Sequence, residues 1–531
     1  MKIKYLVLAI SASVLLYGCG GDSDNKRNNN VDDTDDVGKV TFSAKQLSSP
    51  YYTQGEETVS AAQAQGVVNE AGMAKNVILF VGDGMGISTV TAARILAGQM
   101  EGQNGEEYQL SFETMPFTGL VKTYNTNQQT PDSAGTMTAM MSGVKNKAGM
   151  IGVSDDAVRA DCASTQGAEL VTALELAEGL GKATGVVSTA RITHATPAAT
   201  YAKSAERNWE SNDSLPAEAL TNGCKDIADQ LVSFDAGDGI DVILGGGRRH
   251  FLPNVDGGKR TDGRDLTAEW QSAHPSANYV ETGAEFAALD AASVNQVMGL
   301  FAMSHMSYEA DRAVNGKNEP SLSEMTDKSI DILSKNDDGY FLMVESGRID
   351  HAHHAGSAYG ALTDAVEFAN AIQAAMDKTS AEDTLIIVTA DHSHVFTIAG
   401  YPTRGNPILG KVVTNDGSGE PQSEAAMAAD DMPYTTLGYT NGLGFADLGA
   451  ETDADARYGA PVDAGRKDLT AVDTESAGYH QEALVPLGSE THAGEDVGVW
   501  ARGPGAHLLT GTNEQSLIFH VMAHAGGLLP K

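Results

Sequence analysis

Six short apolar runs recur along the chain: Asn76-Val-Ile-Leu-Phe-Val81, Gly185-Val-Val-Ser188, Asp241-Val-Ile-Leu244, Tyr340-Phe-Leu-Met-Val344, Leu385-Ile-Ile-Val388 and Val497-Gly-Val-Trp500. They are β-branched and apolar without alternation, as strands covered on both faces are. Between them lie helix candidates at Ala168–Leu180, Leu322–Ser334 and Ala361–Asp377. The alternation predicts an α/β fold, a three-layer αβα sandwich with a mostly parallel central sheet. Between Ala390 and His492 the pattern breaks, with a Gly/Pro-rich YPTRGNPILG and an acidic stretch, Ala450–Asp463. Such a length exceeds a plain loop and predicts an inserted, crown-like subdomain over the sheet rim, at about 397–480. Gly245–Tyr308 reads as peripheral decoration.

The ends of the runs carry the chemistry. Val81 leads into Gly82-Asp83-Gly84, Val344 into Glu345-Ser-Gly347, and Val388 into Thr-Ala-Asp391-His392. Ligands of open α/β sheets bind beyond the carboxyl ends of the strands, so these groups are expected at one edge. Carboxylates gathered there repel and stay ionised only with cations, which points to divalent metals. Downstream, Asp350-His-Ala-His-His354 puts Asp350 and His354 four apart, on one helical face, able to share an ion. His351 lies on another part of that turn, and His492, in Glu490-Thr-His-Ala-Gly494, is a candidate to complete the site.

The stretch TPDSAGTMTAMMSG, Thr130–Gly143, supplies a candidate nucleophile. Pro131 favours an extended approach and Asp132 is a good N-cap, so a thin helix of small residues should start at Ser133. A serine there faces unpaired N–H groups and the positive dipole end, which favour an anion and a more acidic hydroxyl. By itself the stretch reads more readily as a capped core helix with an incidental serine, since serine at a helix start is common.

Charge and targeting signals narrow the class. Of 531 residues, 71 are acidic and 35 basic, a net charge of −36. That surface repels nucleic acid and anionic lipid, so nucleic-acid binding is not expected, and an anionic substrate would need local positive centres such as metal ions. Lys2 and Lys4 precede an apolar run, Tyr5–Tyr17, followed by Gly18-Cys19. The run is too short for a stable membrane span and resembles a bacterial lipoprotein signal over residues 1–18, with Cys19 lipidated. A polar tether over residues 19–45 follows. The expectation is a lipid-anchored protein of the cell envelope, on its periplasmic or extracellular side, with the outer membrane favoured because Gly20 rather than Asp follows Cys19. Cys162 and Cys224 then remain as a pair in an oxidising compartment, where a disulfide is expected and two free thiols are the alternative.

Seven pieces in one order, from about Ala74 to the C-terminus, resemble the alkaline phosphatase family: NVILFVGDGMG, TPDSAGTMTAMMSGVK, THATPAATYAKSAERNW, DVILGGGRRHF, VESGRIDHAHHAG, TADHSHVF and ETHAGEDVGVWARGPGAH. HSHVF followed by GYPTRGNPILG, and the Cys162/Cys224 pair, resemble the animal branch. Carried over residue by residue, the resemblance implies that Ser133 is the nucleophile and becomes phosphoserine, while Arg207 clamps two phosphate oxygens. It implies one zinc on Asp350, His354 and His492, and a second on Asp83, Asp391 and His392 with Ser133. It implies a magnesium on Asp83, Thr196 and Glu345, with His194 and His351 acting through water. A homodimer is implied too. The family's calcium site has an acidic residue after the MGLF motif, where this chain has Ala302.

The chemistry stands beside that resemblance. Phosphate monoesters near neutral pH are dianions, and paired metals about 4 Å apart neutralise them while aligning nucleophile and leaving oxygen. Arg207 would add a planar, bidentate fork. The expected activity is metal-dependent hydrolysis of phosphate monoesters. A sulfatase would resemble Cys/Ser-x-Pro-x-Arg at the nucleophile, which Ser133-Ala-Gly-Thr-Met137 lacks. A phosphodiesterase would present less charge to an arginine fork and two metals. A non-enzymatic metal- or phosphate-binding lipoprotein would not need Ser133.

Overall fold

In the computed structural model, residues 40–64 and 71–529 are described. The signal, Cys19 and most of the tether lie outside them. The strands are β1 (Asn76–Gly82), β2 (Phe117–Lys122), β3 (Ala183–Arg191), β4 (Val242–Gly246), β5 (Asn278–Val280), β6 (Val297–Leu300), β7 (Tyr340–Ser346), β8 (Thr384–Ala390), β9 (Ser393–His394), β10 (Phe396–Ile398), β11 (Leu437–Gly442), β12 (Ala446–Asp447), β13 (Tyr479–His480), β14 (Ala483–Pro486), β15 (His492–Ala493), β16 (Val497–Arg502) and β17 (Gly511–Glu514).

Ten of them form one sheet in the order β17-β2-β16-β8-β1-β7-β3-β4-β6-β5. From β8 to β5 every pairing is parallel. All six apolar runs are strands of this sheet. The Val497–Trp500 run differs in direction, because β16 runs antiparallel to both β8 and β2. Leu79, Phe80, Leu342, Met343, Ile386 and Ile387 are fully buried, so the centre of the sheet is the core. Its covering helices form two groups that pack among themselves. One holds Ile87–Met100, Leu322–Leu333 and Ala358–Lys378; the other holds Pro50–Ala64, Ser133–Ser142 and Leu517–Ala525.

Several expectations need correction. Gly245–Tyr308 is not peripheral, since it supplies β5 and β6 to the sheet edge; runs of three and four residues were too short to read as strands. The candidate Ala168–Leu180 is helical only over Ala173–Gly179. Thr172 and Glu175 cap each other across its first turn, and Leu170 instead bonds to Gly152. The tether ends before residue 45, because Ala44–Ser48 and Pro50–Ala64 are helices. Buried Gln46 fastens them by donating to the carbonyls of Ser142 and Val171 and accepting from Val171 N.

Between β8 and β16 the chain builds a three-stranded sheet, β10-β11-β14, and a β12-β13 pair. Cys162 and Cys224 are disulfide-bonded, beside buried Ala205, Trp209 and Ala219.

Candidate active site and metal centre

The neighbours β8, β1 and β7 end level with one another, Gly82 lying opposite both Ala390 and Ser346. The turns beyond bring Asp83, Asp391 and His392 together with Glu345, all without solvent exposure. Helix Arg348–His354 adds Asp350 and His354, and β15 adds His492 by pairing with β9. Four sets of three or more such side chains bring ligand atoms within 4.8 Å of one another: Asp83, Asp391 and His392; Asp350, His392, His394 and His492; His354, His394 and Glu490; and Asp83, His194 and Glu345.

Ser133 opens helix Ser133–Ser142, whose N-cap Asp132 accepts from Gly135 N. Gly135 has no room for a side chain, since a Cβ there would lie 1.8 Å from Asn125 Nδ2. Ser133 Oγ is 3.2 Å from His392 Nε2 and 3.5 Å from Asp83 Oδ1. This is not a Ser-His-Asp relay, in which the carboxylate holds the imidazole nitrogen remote from the serine. Here Asp391 Oδ2 (3.1 Å) and Asp83 Oδ1 (3.5 Å) face the same Nε2 that faces Ser133. His392 Nδ1 has no hydrogen-bond partner among the described residues.

That convergence suits a cation. His354 Nδ1 donates to the Glu490 carbonyl (2.7 Å) and His492 Nδ1 to the Pro131 carbonyl (2.8 Å). Their Nε2 atoms therefore carry lone pairs, yet they lie only 3.2 Å apart, each 3.4 Å from Asp350 Oδ1. Asp83 Oδ2, Asp391 Oδ2, Glu345 Oε1 and Thr196 Oγ1 are also buried without a hydrogen-bond partner among the described residues. Three of these are acidic oxygens, suited to hard or borderline divalent ions.

The electrostatics agree. Burial pushes Asp83 well above the usual carboxylate range, and the charges of Asp391, Asp350 and Glu345 push it further. Burial and Asp391 carry Glu345 to about 8 against the bond from Ser188. Asp391 is raised chiefly by burial. Burial would raise Asp350 as well, but His354, His394 and His492 hold it well below its ordinary value. Burial lowers His354 to about 4, so it is neutral and available as a ligand.

Arg207 donates to Asp132 Oδ2 (3.1 Å) and meets His194 Nε2 at 3.2 Å, which sets the guanidinium beside the start of the serine helix. The His351 ring lies 5.5 Å from that of His194 and 4.0 Å from that of His305. Asp83, Glu345, Asp350, His354, Asp391, His392 and His492 thus lie in the donor cluster, which His194 joins beside Asp83 and Glu345; Arg207 meets His194, and His351 packs against it. Sequence reasoning missed His394, which bridges Asp350 (2.8 Å) and Glu490 (2.6 Å) through its two nitrogens. It also missed Ser188, hydrogen-bonded to Glu345, and Gln515, which donates to the Asp391 carbonyl at 2.9 Å. His392-Ser-His394 and Glu490-Thr-His492 were signals for the first, since residues two apart along an extended chain share a face.

Known proteins resemble this chain over most of its length. The alkaline phosphatase family model matches residues 74–528. The tissue-nonspecific alkaline phosphatase of Gallus gallus is 46% identical over 491 residues, 90% of this chain and 89% of the relative. Its Homo sapiens counterpart is 45% identical over 486 residues, 89% and 87% of the two chains. Among solved structures, the Thermus thermophilus alkaline phosphatase superposes with a TM-score of 0.60 at 25% identity, over 87% of this chain and 94% of the other.

Proposed function

Since the chain belongs to the alkaline phosphatase family, which makes it a metal-dependent phosphate monoester hydrolase, we propose that Ser133 accepts the phosphoryl group and that water then takes it. The observation that carries this reading is the Ser133 hydroxyl, set at a helix N-terminus against Asp83 and His392 of the donor cluster. In the first transfer a Ser133 Oγ–phosphorus bond forms as the bond to the leaving alcohol oxygen breaks. In the second, a water oxygen attacks phosphorus and Ser133 is freed, releasing inorganic phosphate. Arg207, steadied by Asp132, offers two N–H groups to nonbridging oxygens, and the helix N-terminus adds a positive field.

The donor sets favour two zinc ions, one on Asp350, His354 and His492 and one on Asp83, Asp391, His392 and Ser133, with a magnesium on Asp83, Thr196 and Glu345. Bound there, the ions supply Lewis acidity, lowering the pKa of a hydroxyl and neutralising the dianion. His194 and His351 act through water, with Arg207 between His194 and the substrate.

Residues 397–480 serve as a subdomain over the rim. Homodimer formation draws support from β14, whose Leu484 and Val485 are exposed. Lys2, Lys4 and the Tyr5–Cys19 segment support lipid anchoring at Cys19 in the cell envelope. The decisive experiment is acid trapping with labelled phosphate. Wild type should yield a phosphopeptide containing Ser133, and metal-loaded Ser133→Ala should yield none while losing most turnover of p-nitrophenyl phosphate. Label on another residue would refute the assignment.

A further inference from the structure

A strap in the segment before β13 is fastened at two points and leaves one aromatic ring open to solvent. It is the short 3-10 helix Ala454–Gly459. Arg457, without solvent exposure, donates to the carbonyls of Leu443, Gly444, Ala460 and Pro461. Asp455 accepts from Arg348 Nη2 and from the Tyr308 hydroxyl, each at 2.8 Å, while the Arg348 guanidinium lies 3.6 Å from the centre of the Tyr308 ring. Arg348 begins the helix that carries Asp350 and His354. The strap is therefore tied to the metal-binding helix.

Tyr458 is the next residue after the Arg457 anchor. Its hydroxyl is 3.5 Å from Ser489 Oγ, which reaches the His354 carbonyl at 3.4 Å. Glu490, following Ser489, holds His354 Nδ1 through its carbonyl. Ser133 is buried, but the side chains of Arg207 and Asp132 beside it are each 18% exposed, that of His354 25% and that of His492 14%. The cluster thus meets solvent both beside Arg207 and on the His354 side, and Tyr458, 47% exposed, stands at the His354 end. Burial keeps the Tyr458 hydroxyl above its ordinary pKa, and Asp455, Asp350 and Glu490 add to this, so the ring is neutral.

We propose that Tyr458 is a specificity-determining residue, its ring covering the leaving group of aryl and other ring-bearing phosphate monoesters. The inference rests on the phosphoserine reading. With phosphate between Ser133 and Arg207, in-line attack directs the leaving oxygen away from Ser133, and the organic group it carries leaves through the opening beside His354. An exposed ring on a fastened strap loses little freedom when a second ring covers it, and such a pair contributes beyond the area it buries. A small alkyl group at the same opening falls short of the ring.

The test compares phenyl phosphate with methyl phosphate on metal-loaded wild type, Tyr458→Ala and Tyr458→Phe. For Tyr458→Ala, kcat/KM should fall about three- to tenfold for phenyl phosphate and stay within about twofold for methyl phosphate. Inhibition by inorganic phosphate, which has no leaving group, should not change. Tyr458→Phe should keep the wild-type preference. Equal losses on both esters, no loss on phenyl phosphate, or a Phe variant that behaves like Ala would overturn the proposal. Wild type that traps no phosphate on Ser133 would instead overturn the parent reading.

Discussion

Glu345→Gln separates what the acid cluster does without cations from what it does with them. Glu345 is fully buried, and burial with the Asp391 charge raises it from 4.5 to about 8. An acid whose folded pKa exceeds its unfolded one takes up a proton on folding. Stability of the metal-free protein is therefore lost as pH rises from about 4.5 to about 8 and does not return above that. At 1.36 kcal/mol per pH unit the full loss is about 5 kcal/mol, of which about 2 kcal/mol has accrued by pH 6. Glutamine has nearly the same shape and no charge, so the metal-free variant escapes this loss.

Unfolding entropy of about 2.1 cal/mol/K per residue gives about 1.1 kcal/mol/K for this chain, so each kcal/mol moves Tm by about 1 °C. Chelated and dialysed Glu345→Gln should melt about 5 °C above wild type at pH 9 and about 2 °C above it at pH 6. In excess zinc and magnesium the sign should reverse, because a cation holds Glu345 ionised and the amide binds it less well. Scanning calorimetry at the two pH values, with and without metals, reads all four differences. A metal-free variant that melts at or below wild type at pH 9, or an advantage that fails to grow with pH, would refute the reasoning.

Three further outcomes are expected. Arg207→Lys keeps a positive charge but loses the two-pronged geometry between Asp132 and the substrate, so kcat/KM should fall about 10- to 100-fold and inorganic phosphate should inhibit more weakly. His394→Ala removes the partner shared by Asp350 and Glu490, and competition with a chelating dye should show zinc affinity down about 10- to 100-fold. Cys162→Ser with Cys224→Ser opens a 62-residue loop whose closure constrains the unfolded chain by about 4 kcal/mol, so Tm should drop by about 4 °C.

The central sheet and most of the acids and histidines that cluster at its edge were legible because both follow from local pattern. Unbroken apolar runs mark covered strands, and acids directly after them mark the sheet edge. The direction of β16 was not legible, since hydrophobicity has no polarity along a strand. Gly245–Tyr308 escaped notice because β5 and β6 are short and held by neighbours distant in sequence. Helix Pro50–Ala64 is polar over much of its length, and what docks it is Tyr52 against Phe519 and His520, which only the folded chain brings together. His394 was passed over because its partners, Asp350 and Glu490, lie 44 and 96 residues away.

The proposed ion sites are sealed to different depths. Asp83, Asp391 and His392 follow strands at the centre of the core and are without solvent exposure, so releasing a cation from them requires a larger local opening. Asp350, His354 and His492 come from a seven-residue helix and a two-residue strand, and two of the three meet solvent. Exchange with a chelator should therefore proceed in a fixed order, the outer zinc first and the inner one much later. Between those events the protein would persist as a half-loaded species, still folded and with Ser133 still beside a cation.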